Sequence, residues 1–356
     1  MSNGLFQLAE ELKGLNSNLQ SRRRERADRN ALRAGLETAV GEFRQARKLS
    51  EEQVRDLFGG RGLVGCDGSV NQVGGNYPYT IHLFKSLAKS SLKNSSGQSA
   101  VEKVRLFTPL QSASHRMVRE FMEARRNEIR VEPQDEREVE AELAEAQAYL
   151  MLCDQIMVEM ELEAAIEAME LFDPRLLLMD GGFSRLKGKG GDKWEQFAEL
   201  ALDRNTIVVG VIEEVGSYRL KSRLDEVNDA LLEGFVRGHD REILFNTMEE
   251  GEWLKTFFHR PIKNEFYTVF NRLSYQPQAG ACDFLREQAE EELVENVLDY
   301  LYTITPAKSR GIPLWLDLVD AEVRLTKKQI DMIVGTNIDL ENIETFLRPQ
   351  RERRDF

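Results

Sequence analysis

The sequence predicts a mixed α/β protein whose central sheet combines antiparallel and parallel strands. Three β-rich segments follow one another between residues 59 and 110, separated by turn-prone residues, which is typical of an antiparallel meander. Farther along, two short apolar segments flank a helical pattern, which is typical of a parallel crossover unit. The chain has 356 residues, of which 41% are hydrophobic and 31% charged, and this excludes both a disordered polymer and a membrane bundle.

The order of the elements narrows the fold class. We expect the first strand to end near Asp67, a long helix without Gly or Pro to end before Pro174, and the next strand to end at Asp180. The segments that follow the first strand are residues 77–87, 100–110, 134–172, RLLLMDGG, 194–202 and TIVVGVIEE. Three antiparallel strands, a helix, a strand, a helix and a strand is the order of the ribonuclease H-like fold.

Both flanks of this core are expected to be helical. Residues 1–58 form a charged arm that we expect to mediate dimerisation or contact with a partner. Its leucines recur at helical spacing: Leu5, Leu8, Leu12, Leu15 and Leu19. From Leu220 onward the patterns are mostly helical. We therefore divide the chain into the arm (1–58), a core with helical insertions (59–330), and a C-terminal helix with a basic tail (331–356).

Composition excludes several kinds of site. The three cysteines and four histidines show neither CxxC nor HxxxH spacing, so that carboxylates must carry any metal. The net charge of -13 argues against bulk coating of nucleic acid, although local basic patches could still bind it. We expect a cytoplasmic protein, since the sequence offers neither a membrane-spanning segment nor a secretory signal.

Two aspartates form the core of a candidate site. Asp67 and Asp180 each end an apolar strand and precede a glycine, and the predicted topology puts their strands side by side. The glycines let the backbone turn and leave room for a ligand beside each carboxylate. Two neighbouring buried carboxylates repel and are costly to ionise, and a divalent cation resolves both problems.

Further carboxylates could complete this site. One glutamate of the long helix could reach the cation, and spacing alone cannot choose among Glu159, Glu161, Glu163 and Glu167. Asp317 or Asp320 supplies a fourth acid. Ligation by oxygen alone suits Mg²⁺ or Mn²⁺ and suits two ions that act on a phosphodiester, so the implied reaction is phosphodiester hydrolysis.

The residues beside the aspartates have two interpretations. Lys187 and Lys189 could hold a phosphate or belong to a surface loop. Ser69 could contact the nucleic acid or only cap a turn. It is not expected to be a nucleophile, because the sequence places no histidine base nearby.

At these residues the sequence resembles the NurA nuclease family, whose members process DNA ends together with the hexameric HerA ATPase. The resemblance rests on GCDGSV, LLLMDGGFSRL, TIVVGVIEE and the late block GIPLWLDLVDAEVRLT. It implies a ribonuclease H-like, manganese-dependent homodimer that cleaves single-stranded DNA and duplex ends with two bound Mn²⁺ (or Mg²⁺) ions. Asp67 and Asp180 carry over directly, and the family's helix glutamate falls on Glu163 or Glu161, of which we prefer Glu163.

The late block departs from the family pattern. Asp320 stands where the family commonly has a histidine, and Ile312 where it has a tyrosine. The family also often carries a lysine near the position of Glu213, so that phosphate binding would rely on Arg219, Lys221 or Lys187. The rival hypothesis is therefore a catalytically weak scaffold or regulatory subunit of a HerA-like translocase that binds and guides DNA. An RNA substrate is equally compatible with chemistry that addresses the phosphate.

Overall fold

The computed structural model of the chain describes residues 3–26, 28–129 and 137–348. It has a mixed α/β architecture built on a mainly antiparallel nine-stranded sheet. The strands are β1 (Gly41–Gln45), β2 (Leu63–Gly74), β3 (Thr80–Ser90), β4 (Ala100–Phe107), β5 (Leu176–Asp180), β6 (Ile207–Ile212), β7 (Glu252–Thr256), β8 (Phe266–Asn271) and β9 (Gly280–Leu285). Their order in the sheet is β1-β7-β8-β9-β6-β5-β2-β3-β4.

Helices occupy most of the remaining described chain. They are α1 (Asn3–Glu25), α2 (Arg29–Ala39), α3 (Glu51–Phe58), α4 (Ser112–Ala124), α5 (Arg137–Phe172), α6 (Phe183–Gly190), α7 (Asp192–Asp203), α8 (Arg219–Asp225), α9 (Asp240–Leu244), α10 (Glu291–Ile304), α11 (Leu314–Val323), α12 (Lys327–Asn337) and α13 (Leu340–Asn342). Within the described ranges, no helix combines the length and the apolar character needed to cross a membrane.

The chain divides into two compact units. The first contains the residues up to Leu57 together with Val209–Leu314, and the second contains Phe58–Val208 together with the residues from Trp315 onward. The second unit contains both aspartates of the candidate site, and we call it the acidic unit.

In the acidic unit, β2, β3 and β4 form the antiparallel meander that the sequence predicts. β5 pairs with β2 in parallel, in a register that runs from Leu63↔Leu176 to Cys66↔Met179. β2 does not end near Asp67 as we expected but continues to Gly74, because its pairing with β3 persists over the whole length of both strands. Its second half therefore extends beyond the end of the β5 pairing.

Helices cover both faces of this sheet. α5 packs on β2 and β3, where its apolar side chains join Phe84 and Phe107 in a buried cluster. A side chain at Gly68 would meet α5, whereas one at Gly65 would meet Trp315 of α11. Because positions 65 and 68 point to opposite faces of a strand, α5 and α11 lie on opposite sides of β2.

The first unit contains strands in the region after Leu220, where we expected mostly helical structure. β7, β8 and β9 form an antiparallel meander there, and β8 is buried along its whole length. Short apolar runs such as FYTVFN have no reliable period, so they are easily taken for turns of a buried helix. The segment predicted as a helical arm also contributes a strand, since β1 pairs with β7.

The terminal segments are partly described. The leucine row of α1 is exposed along the described helix, with Leu12 at 57%. α12 overlaps the start of the predicted C-terminal segment (331–356). Residues 349–356, which carry the predicted basic tail, lie outside the described residues.

Candidate active site

Asp67 and Asp180 occupy matching positions on neighbouring strands. Cys66 pairs with Met179 in the parallel register of β2 and β5, so the next residue on each strand is one of the two aspartates. Neighbouring strands lie about 4.8 Å apart, and residues in register point to the same face. The structure thus brings these two acids together at the end of β5, with Asp67 buried at 4% exposure and Asp180 exposed.

Two further carboxylates approach this pair. Glu161 of α5 is 3% exposed, and Asp320 of α11 is half-buried. Both lie close enough to Asp67 to raise its pKa electrostatically. Since α5 and α11 cover opposite faces of the sheet, the two acids reach the aspartates from opposite sides.

The clustering leaves Asp67 hard to ionise. Burial and the neighbouring Asp180 raise its pKa to about 8, with smaller raising contributions from Glu161 and Asp320. A hydrogen bond from the Gly68 N–H at 2.6 Å acts in the opposite direction and lowers the pKa. Among the described residues, no basic side chain lies within ion-pair distance of Asp67. A cation beside this carboxylate would therefore relieve an unfavourable burial.

Two arginines compensate the other acids. Arg185 of α6 donates from Nη1 to Glu161 Oε2 at 2.8 Å. Arg324 donates from Nε to Asp320 Oδ1 at 2.9 Å, and its Nη2 lies 2.8 Å from Oδ2. Burial raises the pKa of Glu161, Arg185 opposes this, and Asp180 adds to it. Neither arginine was predicted from the sequence, although the i,i+4 spacing of Asp320 and Arg324 is typical of an ion pair along a helix.

The helix glutamate at this cluster is Glu161, whereas we preferred Glu163 from the resemblance. Glu163 forms an ion pair with Lys193 at 2.7 Å. Side chains two positions apart on a helix point about 200° away from each other around the helix axis, so only one of these glutamates can point to the aspartates. Glu167 likewise pairs with a lysine, Lys103.

The donor set fits a hard divalent cation. It consists of carboxylate oxygens only, which Mg²⁺ and Mn²⁺ prefer, and one of its members is buried without a cationic partner among the described residues. No three acidic, histidine or cysteine side chains of the described chain already converge as a preformed ligand set. Glu161 and Asp320 instead bind their arginines.

The predicted phosphate contacts are divided between the two units. Ser69, Lys187 and Lys189 belong to the acidic unit, where Lys189 pairs with Asp154 and Ser69 accepts a hydrogen bond from Asn71 at 3.4 Å.

The other two residues predicted to bind phosphate, Arg219 and Lys221, lie in α8 of the first unit. There Arg219 Nη1 donates to the Ile262 carbonyl at 2.7 Å. Ile312, at the position of the family's tyrosine, is a buried residue of the same unit.

A family model for the NurA domain matches residues 61–325, which includes all four clustered acids. The chain belongs to the NurA family. The match confirms the resemblance inferred from the sequence motifs.

Solved structures give a further comparison with the NurA fold. The chain is similar to the NurA nuclease from Sulfolobus solfataricus, with a TM-score of 0.55 and 12% identity over 94% of this chain and 96% of that chain. This likeness shows that the fold is NurA-like. The catalytic domain of human Endonuclease V also aligns, with a TM-score of 0.36 and 13% identity over 86% of this chain and 96% of that chain. Sequence comparison with curated proteins gives no match.

Proposed function

We propose that this NurA-family protein is a deoxyribonuclease that depends on Mn²⁺ or Mg²⁺ and hydrolyses phosphodiester bonds in single-stranded DNA and at duplex ends. The observation that carries the proposal is that Asp67 and Asp180 occupy matching positions on neighbouring strands, with Glu161 and Asp320 close enough to affect the charge of Asp67. Such a cluster has little structural value, because burial and repulsion make it costly. We further propose that β2 to β6 form a ribonuclease H-like catalytic core.

Each acid has a proposed role. Asp67 and Asp180, side by side in the sheet, would hold a pair of divalent cations between them, with Glu161 completing one site and Asp320 the other. The bound cations would supply Lewis-acid stabilisation of the phosphodiester and make water a better nucleophile. Burial of Asp67 and Glu161 keeps bulk water from competing for these oxygens.

The remaining residues would orient the substrate. Lys187 and Lys189 lie on α6, the helix that follows Asp180 in the chain, and Ser69 lies two residues after Asp67 on β2. We propose that they bind the phosphates on either side of the cleaved bond.

Partners follow from the family. We propose that the protein works as a homodimer in the cytoplasm with a HerA-like hexameric ATPase that feeds it DNA for end resection, repair or defence. The leucines of α1 recur at alternating intervals of three and four residues, which is the spacing of a coiled-coil seam, and they are exposed. A second copy of this helix would cover them.

Substitution of the acids tests the function. Asp67→Asn, Asp180→Asn and Glu161→Gln should each abolish Mn²⁺-dependent degradation of single-stranded and duplex DNA with the fold retained. Glu163→Gln is the matched control. Glu163 lies on the same helix as Glu161, but its carboxylate pairs with Lys193 and not with the cluster. Activity retained in both aspartate variants would reject the proposal.

The scaffold alternative is favoured by the arginine pairs. Because Glu161 and Asp320 already bind arginines, the acidic cluster could be a remnant that no longer takes up cations. Calorimetric titration with Mn²⁺ separates the two functions, since a scaffold would show no Mn²⁺ binding that depends on Asp67.

A further inference from the structure

Arg185 links the buried acid cluster to the surface. Its guanidinium binds both oxygens of Glu161, at 2.8 Å to Oε2 and 3.4 Å to Oε1. The Glu161 side chain is 4% exposed, whereas that of Arg185 is 36% exposed. The arginine therefore reaches from a partly exposed position on α6 into the cluster.

A second anion lies within reach of the same guanidinium. Arg185 Nε lies 3.8 Å from Asp154 Oδ1, and the Asp154 side chain is 42% exposed. A guanidinium that released Glu161 would keep this partner, which limits the cost of its movement.

We infer, on the basis of the proposed function, that Arg185 is a positioning residue that holds Glu161 in the cation-free protein and competes with the divalent cation for that carboxylate. A cation held by Glu161 would need the carboxylate lone pairs that Arg185 binds here, so occupation by one would weaken occupation by the other. Arg185 thereby keeps a buried carboxylate compensated until a cation arrives.

The affinity of the cation-free protein for Mn²⁺ tests this role. Arg185→Gln should bind Mn²⁺ about fivefold more tightly than the wild type in calorimetric titration, the effect expected for loss of one partly exposed competing ion pair. The matched control is Lys193→Gln, which removes the cation paired with Glu163 on the same helix and should leave the Mn²⁺ affinity unchanged. An arginine that only maintains the fold would give weaker binding on removal, and unchanged or weaker binding would overturn the inference.

Two further comparisons keep the test decisive. In a Glu161→Gln background, Arg185→Gln should not change the Mn²⁺ affinity, and a change there would also overturn the inference. If Arg185→Gln does not fold, Arg185→Lys serves, with binding expected to tighten about twofold because lysine lacks the bidentate fork. Absence of Asp67-dependent Mn²⁺ binding in the wild type would overturn the proposed function as well, whereas its presence without the Arg185 effect would overturn only this inference.

Discussion

Gly68 and Gly181 serve different purposes in the two Asp-Gly pairs. A side chain at Gly68 would lie 2.5 Å from Glu161 Oε1 and would also contact Met157, so this glycine makes room for α5. Gly181 has a φ of +89° and open space around it, so it permits the turn after β5. We expected each glycine to let the backbone turn and to leave room for a ligand; Gly181 meets this expectation, whereas β2 continues through Gly68 and α5 occupies the space beside it.

The crowding at Gly68 predicts the effect of a single methyl group. Gly68→Ala should lower the free energy of unfolding by about 1–3 kcal/mol, the usual cost of overpacking, and should reduce nuclease activity by displacing Glu161. Urea unfolding and a DNA cleavage assay measure the two effects. Gly188→Ala is the control, because Gly188 lies in α6 with nothing near its missing side chain, and it should not be destabilised. Equal stability of both variants would contradict the close approach of Glu161.

The charge of Asp67 predicts a gain in stability when it is removed. Asp67 is buried beside Asp180, so Asp67→Asn should raise the melting temperature of the protein in EDTA. Added Mn²⁺ should raise the melting temperature of the wild type, and much less that of the variant. Thermal unfolding with and without Mn²⁺ measures both, and a variant less stable than the wild type in EDTA would show that the carboxylate has a structural role.

At the residue scale, the sequence predicts the two aspartates but not their complete surroundings. Asp67 and Asp180 follow the apolar runs of two strands whose pairing follows from topology. The choice between Glu161 and Glu163 depends on the rotation of α5 about its axis, which packing against the sheet decides. Arg185 gives no signal in the sequence, because its contact with Glu161 spans 24 positions and two helices.

At the element scale, strand lengths follow tertiary pairing more than local pattern. β2 crosses the Asp-Gly pair and continues to Gly74 because β3 supplies a partner along its full length. The three strands β7, β8 and β9 were predicted as part of a helical region, and only their mutual pairing makes them a sheet. The long helix α5, by contrast, is predictable from its composition and from Asp173 and Pro174 at its end.

An ion pair between α2 and β7 predicts how stability changes with pH. Burial raises the pKa of Glu252, but hydrogen bonds from Arg33 and the Glu249 N–H, with the charges of Arg33 and Arg29, outweigh it and bring the pKa below the ordinary value of 4.5. Because the folded-state pKa is lowered, this stabilisation is present above pH 4.5 and is lost as the pH falls through the folded-state pKa. Glu252→Gln should therefore cost about 1 kcal/mol at neutral pH and less in acid.

The control for this prediction is a second ion pair that involves α2. Arg29 pairs with Glu249 at 2.6 Å, but the side chains are 38% and 62% exposed, so Glu249→Gln should change stability little at any pH. Urea unfolding of both variants across the acid range measures the difference. A Glu252→Gln cost that does not shrink in acid would exclude a charge-based role for the pair.

At the scale of the whole molecule, family membership and the exposed helix α1 bear on assembly. The NurA match covers residues 61–325 and does not include α1, so the arm must be judged from its own surface. Its leucines are exposed at 40–57% in the isolated chain. An apolar seam of this kind is stabilised when another helix covers it.

The proposed dimer predicts the effect of a charge in this seam. Leu12→Glu should shift the protein from dimer to monomer in sedimentation equilibrium, because a carboxylate would be buried between the helices. Leu92→Glu is the control, since Leu92 is similarly exposed, at 50%, but lies outside α1. A wild type that is monomeric at all concentrations, or a Leu12→Glu variant that remains dimeric, would contradict dimerisation through α1.

The central claim is that acids from two neighbouring strands and two helices bind divalent cations. Anomalous diffraction from a crystal soaked in Mn²⁺ tests it most directly. We predict manganese within coordination distance of both Asp67 and Asp180, with Glu161 turned from Arg185 toward an ion. Manganese absent from this cluster, or bound only elsewhere on the protein, would contradict the claim.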